Sequence, residues 1–166
     1  MGGRMAGCAQ PGQIPGCWLN IGPRGSEHHE PAFCLDIRPG VADVTGDIRA
    51  LPFAEGSFSG VECHHVLEHL ERDDAPVALR EMHRVLRKGG TLDIAVPDMA
   101  RCAQTLLAGN LDILLNIYSP HEHPAQRHRW GYVTWSLKVA LQGVGFIDVR
   151  LAEPTDAHEL RMVAVK

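Results

Sequence analysis

No cysteine in this 166-residue chain has a partner at Cys-x-x-Cys spacing. Cys8, Cys17, Cys34, Cys63 and Cys102 are odd in number and far apart. That excludes a thiolate zinc site or dithiol redox motif and fits reduced thiols in a cytoplasmic protein. A basic excess is also missing. The formal charge is -4 and the pI about 6.2, with Lys and Arg scattered, so no nucleic-acid partner is expected. No apolar run is long enough to span a membrane. Met1 to Gly16 lacks the apolar core of a signal peptide and is rich in Gly, Pro and Ala. Residues 1–17 are expected to be a flexible tail and residues 18–166 one domain, with no membrane partner. The 45% hydrophobic content is enough to build a core at this length. The phosphate-cradling pattern G-x-G-x-x-G is absent, as is any fixed catalytic motif.

What is present is organised around Gly60 to Asp98. Val61-Glu62-Cys63 reads as a strand stopping at His64-His65. Asp73 or Asp74 can cap a following helix, and Pro76 fits its first turn, where a missing N–H costs nothing. Val77, Leu79, Met82, Val85 and Leu86 recur near helical spacing. Arg84, Arg87 and Lys88 suit the last turn, and Gly89 supplies the left-handed residue that ends the helix. Leu92 to Val96 is the next strand, stopped by Pro97. Strand, helix and strand make a βαβ unit with parallel strands and a right-handed crossover.

The rest of the chain attaches to that unit. Trp18-Leu19-Asn20-Ile21 is a short apolar run entering the turn Gly22-Pro23-Arg24-Gly25, where glycine lets a ligand approach the backbone. Ser26 to Ala32 is too short for an ordinary crossover helix, so a loop is expected. Phe33-Cys34-Leu35 is a second strand ending at Asp36, which by spacing reads equally as a turn residue or as a carboxylate accepting from a ribose hydroxyl pair. Val41 to Val44 is briefly extended. Asp98 is a good N-cap, and Met99, Cys102, Ala103, Leu106 and Leu107 follow on one helical stripe. Leu111 to Tyr118 is a further short helix, and Ser119 to Trp130 is a polar loop. Thr134 caps a helix with Leu137, Leu141 and Val144 on one face. Phe146 to Leu151 and Leu160 to Val165 are strands able to pair antiparallel at one end of the sheet.

Several segments, in order, resemble the class I S-adenosylmethionine-dependent methyltransferases. They are Leu19 to Gly22, Asp36, Gly46-Asp47-Ile48-Arg49-Ala50-Leu51-Pro52-Phe53, Ser57-Phe58, His65-Val66-Leu67-Glu68-His69, Leu79 to Gly90, and Val96-Pro97-Asp98. Trp130-Gly131-Tyr132, Ser136-Leu137 and Gly145-Phe146 extend the match. The chain is most similar to the small subgroup with a shortened first helix. The resemblance implies an α/β fold: a doubly wound, mostly parallel sheet with helices on both faces and an antiparallel C-terminal hairpin strand. It implies S-adenosylmethionine as cofactor, lying across the carboxyl ends of the first strands. Asn20, Gly22, Pro23 and Gly25 would border the methionine part, with Gly25 standing in for the second glycine of the family turn. Asp36 and Ile37 would hold the ribose, and Asp47 and Ile48 the adenine. His64 and His65 would close the floor beside the sulfonium.

Transfer from a sulfonium needs a positioned acceptor and, where required, a base. His69, Asp98, His121 and His123 are the candidates. For His69, capping or packing outweighs catalysis. His121-Glu122-His123 with His128 could bind zinc, but a polar loop without metal is the stronger reading, so no metal is assigned. Trp130, Tyr132 and Trp135 could stack on a flat acceptor, though packing accounts for them as well. The expected partner is a small molecule or sugar-type acceptor, and so minimal a pocket is open, covered by Asn116 to Trp130, or completed by another subunit in a homodimer. Two other readings stay open: a non-catalytic domain that keeps the fold with an altered cofactor turn, and a metal-binding protein built on the His121–His128 loop.

Overall fold

The computed structural model describes residues 16–23, 32–118 (the Asn116 side chain aside) and 126–166. Seven strands form one sheet: β1 (Trp18–Ile21), β2 (Ala32–Asp36), β3 (Val44–Thr45), β4 (Phe58–His64), β5 (Leu86–Pro97), β6 (Ile147–Leu151) and β7 (Glu159–Val165). Their order is β3-β2-β1-β4-β5-β7-β6. β1 to β5 run parallel, while β7 is antiparallel to both β5 and β6. The helices are α1 (Ala75–Val85), α2 (Met99–Leu107), α3 (Ile113–Tyr118) and α4 (Thr134–Gly143), with a 3-10 turn at Leu67–His69. This is the expected doubly wound sheet with its reversed C-terminal hairpin. Among the described residues, no helix is long and apolar enough to cross a membrane. The segment expected to replace the first helix lies outside the described residues.

The central strands are apolar on one face and carry a row of buried polar residues, Asn20, Glu62 and Asp93, on the other. Leu19, Ile21, Leu35, Val61, Cys63, Leu92 and Ile94 are fully buried, and Leu79, Met82 and Val85 of α1 with Leu137 and Leu141 of α4 join them. The His83 ring of α1 packs edge-on against Phe146, just before β6, with centroids 5.0 Å apart. Gly60 faces Trp18 so closely that any Cβ there would overlap the indole.

Several boundaries differ from expectation for identifiable reasons. α1 ends at Val85, not Gly89, because Leu86 already pairs with Phe58. Arg87 and Lys88 therefore lie in β5 rather than in a last helical turn, and the positive φ of Gly89 (73°) serves an irregularity within that strand. Val77 is off the buried face of α1. Asp74 is the N-cap residue but makes no capping bond, since its carboxylate accepts from Arg49 instead (2.7 Å). Asp98 does cap, accepting from the N–H groups of Ala100 (3.0 Å) and Arg101 (3.4 Å). α4 begins at Thr134, but its N-cap is Val133, whose N–H donates to Ser136 Oγ (3.0 Å). The stripe on α2 forms yet stays largely uncovered: only Cys102 is buried, and Leu107 is 88% exposed.

Candidate functional site

The strand ends carry the site. Where β1, β2, β3 and β4 finish, a cavity of about 360 Å³ opens, within the size range of small-molecule sites. Ile21 and Gly22 close it at β1. Gly22 has φ 66°, and a Cβ there would come within 2.5 Å of Val66 Cγ2, so only glycine lets the backbone turn at this point. Leu35, Asp36, Ile37 and Arg38 line the cavity from β2, and Asp47, Ile48 and Arg49 from the loop after β3. That loop is stapled to α1. Leu51 N–H donates to Glu81 Oε2 (2.8 Å), and the Arg84 guanidinium donates to the carbonyls of Phe53 (2.7 Å) and Leu51 (3.0 Å).

Both acidic residues on this wall are held by the arginine two positions on. Asp36 Oδ1 accepts from Arg38 N (2.8 Å) and Nε (3.0 Å), and Oδ2 from Nη2 (2.8 Å). Asp47 accepts from Arg49 N (2.9 Å), Nε (3.0 Å) and Nη2 (2.6 Å). Arg49 holds the Asp47 carboxyl below its ordinary range. Asp36 is buried, whereas the Asp47 side chain is one-third exposed.

The opposite wall is rich in imidazole. His65 sits just past β4 with φ 55°, a left-handed conformation that costs a non-glycine residue about 1 kcal/mol or more. It is fixed by its N–H donating to Ala95 O (2.9 Å) and by Nε2 against Glu159 Oε2 (3.0 Å). Its Nδ1 stands 3.5 Å from Glu68 Oε1, an ion-pair distance but long for a hydrogen bond. The Glu68 and Glu159 carboxylates push the His65 imidazole up, against the opposing effect of burial. His69 also lines the cavity, its Nδ1 3.3 Å from the Arg127 carbonyl and its ring 5.1 Å from that of His128. Glu68 lies behind them, 1% exposed, with neither carboxylate oxygen hydrogen-bonded among the described residues. Tyr132 Oη is likewise buried and has no hydrogen-bond partner among the described residues, and burial followed by the Glu68 charge pushes that phenol up.

Of the residues anticipated from sequence, the cavity brings together Gly22, Asp36, Ile37, Asp47, Ile48, His65 and His69. Asn20 is not on its lining; it lies within the sheet, between Cys34 and Glu62. Pro23 is off the lining too. His64 turns away because successive strand residues face opposite sides: its Nε2 meets Asp93 Oδ1 (3.1 Å) and its Nδ1 Glu62 Oε1 (3.4 Å). Asp98 is committed to capping α2, and its hydrogen-bonded carboxylate is off the lining. Gly25, His121 and His123 lie outside the described residues. Trp130 is half exposed and stacks under Arg72, while Trp135 is 72% exposed. Reading the sequence missed Arg38, Arg49, Glu71, Asp74, Gln126 and Arg129 on the lining. The repeated tripeptide Asp-Ile-Arg, at 36–38 and 47–49, was the visible signal for the first two.

The same fold is found in solved structures of other proteins. Residues 26–94 match the family model described as a methyltransferase domain. A demethylmenaquinone methyltransferase of Beutenbergia cavernae is 45% identical over 58 residues, which cover 35% of this chain and 23% of that protein. The match thus spans less than a quarter of the curated relative's length. Among solved structures, a SAM-dependent methyltransferase from Archaeoglobus fulgidus is 18% identical, with a TM-score of 0.61 over 90% of this chain and 86% of its own. A 1,6-didemethyltoxoflavin-N1-methyltransferase of Burkholderia thailandensis, solved with 1,6-didemethyltoxoflavin and S-adenosylhomocysteine, is 20% identical, with a TM-score of 0.61 over 90% of this chain and 70% of its own.

Proposed function

We propose that this chain binds S-adenosylmethionine in the cavity at the ends of β1 to β4 and transfers its methyl group to a small-molecule acceptor. The observation that carries the reading is the cavity itself. It has the size of a small-molecule site, a glycine cradle that a Cβ would fill, and a buried carboxylate at the end of β2. Bound there, the cofactor supplies an activated methyl group, so the protein has only to place the acceptor and handle its proton. Gly22 would admit the methionine portion. Asp36 would accept from the ribose hydroxyls once Arg38 yields its place on the carboxylate, and Asp47 from the adenine amine, with Ile37 and Ile48 beside them. His65 would wall the reacting centre. His69, on the lining, is the base we favour for an acceptor that must lose a proton. The solved Burkholderia protein, with a small heterocycle and S-adenosylhomocysteine together, supports the acceptor class.

Calorimetric titration with S-adenosylmethionine and S-adenosylhomocysteine tests the reading. Binding near micromolar, about -8 kcal/mol, is expected. Absence of binding up to millimolar would instead favour a non-catalytic domain in which Arg38 and Arg49 hold both carboxylates permanently.

A further inference from the structure

Glu68 is an anomalous group among the described residues. It is 1% exposed, and neither carboxylate oxygen has a hydrogen-bond partner among the described residues. A buried carboxylate without hydrogen bonds costs several kcal/mol unless a positive charge is held against it. Two imidazoles converge on the same point. One ligand atom each from Glu68, His69 and His128 lie within 4.8 Å of one another. The backbone builds this arrangement. Arg129 N–H (2.8 Å) and Trp130 N–H (3.2 Å) both donate to the Glu68 carbonyl, which clamps the 127–130 segment onto the Leu67–His69 turn. That clamp sets the His128 ring beside His69 and brings His128 Nε2 to 3.9 Å from Glu68 Oε1. His69 Nδ1 lies 3.3 Å from the Arg127 carbonyl, the kind of outer contact that fixes tautomer and ring orientation in a metal-bound histidine. In that tautomer the lone pair is on Nε2.

We infer that Glu68, His69 and His128 form a site for a divalent first-row transition ion beside the cavity, and in the metal-loaded protein His69 is a ligand rather than the base for an acceptor. Two imidazoles and one carboxylate suit zinc, cobalt or iron and disfavour magnesium and calcium, which take oxygen ligands. Three protein ligands leave at least one coordination position open, as in sites where the ion meets a substrate or water. The ion adds a counter-charge for the buried Glu68 carboxylate to that of the His65 imidazole 3.5 Å away. The site differs from a metal site built wholly on the 121–128 loop, because two of its three ligands come from the turn after β4.

The test uses tag-free protein stripped with chelator and titrated with Co²⁺, followed by visible absorption, then displaced with Zn²⁺. Saturation at one equivalent is expected. Glu68→Gln and His128→Ala should each weaken binding at least about 100-fold. A His121→Ala/His123→Ala double variant should stay within about threefold of the parent. Far-UV circular dichroism and melting check that the variants fold. Should Glu68→Gln fail that check, His128→Ala, at a partly exposed position, carries the test. Overturning results are the absence of saturable uptake up to about 1 mM, undiminished uptake in His128→Ala, or loss of uptake in the double loop variant.

Discussion

The tripeptide Asp-Ile-Arg occurs twice on one wall of the cavity, and the two copies have the same local geometry in different surroundings. In each, the aspartate accepts from the backbone N–H and the guanidinium two residues on. At the end of β2, Asp36 is 4% exposed and Arg38 is its cation. After β3, Asp47 is one-third exposed, and Arg49 divides its charge between Asp47 and Asp74 of α1. Sequence sets the clamp, and burial sets what the clamp is worth. An exposed ion pair contributes little, whereas a buried carboxylate deprived of its cation is costly. Across the cavity, Glu68 has histidines where these two have arginines. Arginine stays charged, while an imidazole can be neutral and serve as a metal ligand.

The largest effect should come from a third, longer-range pair. Asp93 of β5 is 5% exposed and is held by Arg161 of β7 (2.9 and 2.6 Å) and by His64. Arg161→Met should cost about 3 kcal/mol in urea unfolding, because it strands a buried charge. A second Asp93→Asn change should recover part of that loss. A loss under about 1 kcal/mol would mean that water reaches the carboxylate. Burial alone would raise the Asp93 carboxyl, but Arg161 and His64 outweigh it and hold it well below the ordinary range. A depressed folded-state value means that the contribution is complete above the unfolded value, near 4, and is lost as pH falls further. Asp93→Asn should therefore flatten the acid limb of the stability profile below about pH 4, and an unchanged limb would refute the assignment.

Between the two clamps, Arg38→Met should cost roughly 2 kcal/mol of stability, and Arg49→Met under about 1 kcal/mol at moderate salt. Equal losses in the two variants would break the comparison. The cofactor titration sharpens it. Asp36→Ala and Asp47→Ala should each weaken S-adenosylmethionine by at least ~1 kcal/mol, more for the buried Asp36. Arg38→Met should not weaken it, since it releases the carboxylate that the ribose would use. Unchanged affinity in both aspartate variants would sink the proposed binding mode.

The strands were legible because Leu19 to Ile21, Val61 to Cys63 and Leu92 to Val96 place apolar residues at alternate positions between turns, whereas the doubly wound arrangement came from the family resemblance. Asp98 was legible as a cap because a short carboxylate stands just before an apolar stripe, and that role takes it away from the base role also considered for it. Helix ends were less so. Gly89 looks like a helix stop, but strand pairing between Phe58 and Leu86 claims the preceding residues first, and pairing across 28 residues leaves no local mark. His64 and His65 are adjacent in sequence yet face opposite ways, a parity that depends on where the strand stops. The imidazole cluster was hidden for a related reason. The sequence groups His128 with His121 and His123, whereas the fold sets it against Glu68 and His69, about 60 positions earlier, through two backbone hydrogen bonds.

The smallest effect concerns Tyr132, which shares that corner with Glu68. Its ring is buried and its hydroxyl has no partner among the described residues, so folding strips water from the phenol and none of them replaces it. Removing one member of a satisfied pair usually costs about 1 kcal/mol, but here there is no pair to break. Tyr132→Phe keeps the ring and deletes only the stranded oxygen. It should leave the melting temperature of metal-free protein unchanged or raise it by a few degrees, equivalent to at most ~1 kcal/mol. A clear fall would show that the hydroxyl donates to Glu68 in solution. The carboxylate would then be satisfied by a neutral neighbour, and its need for a cation, on which the contrast with the arginine-clamped aspartates rests, would weaken accordingly.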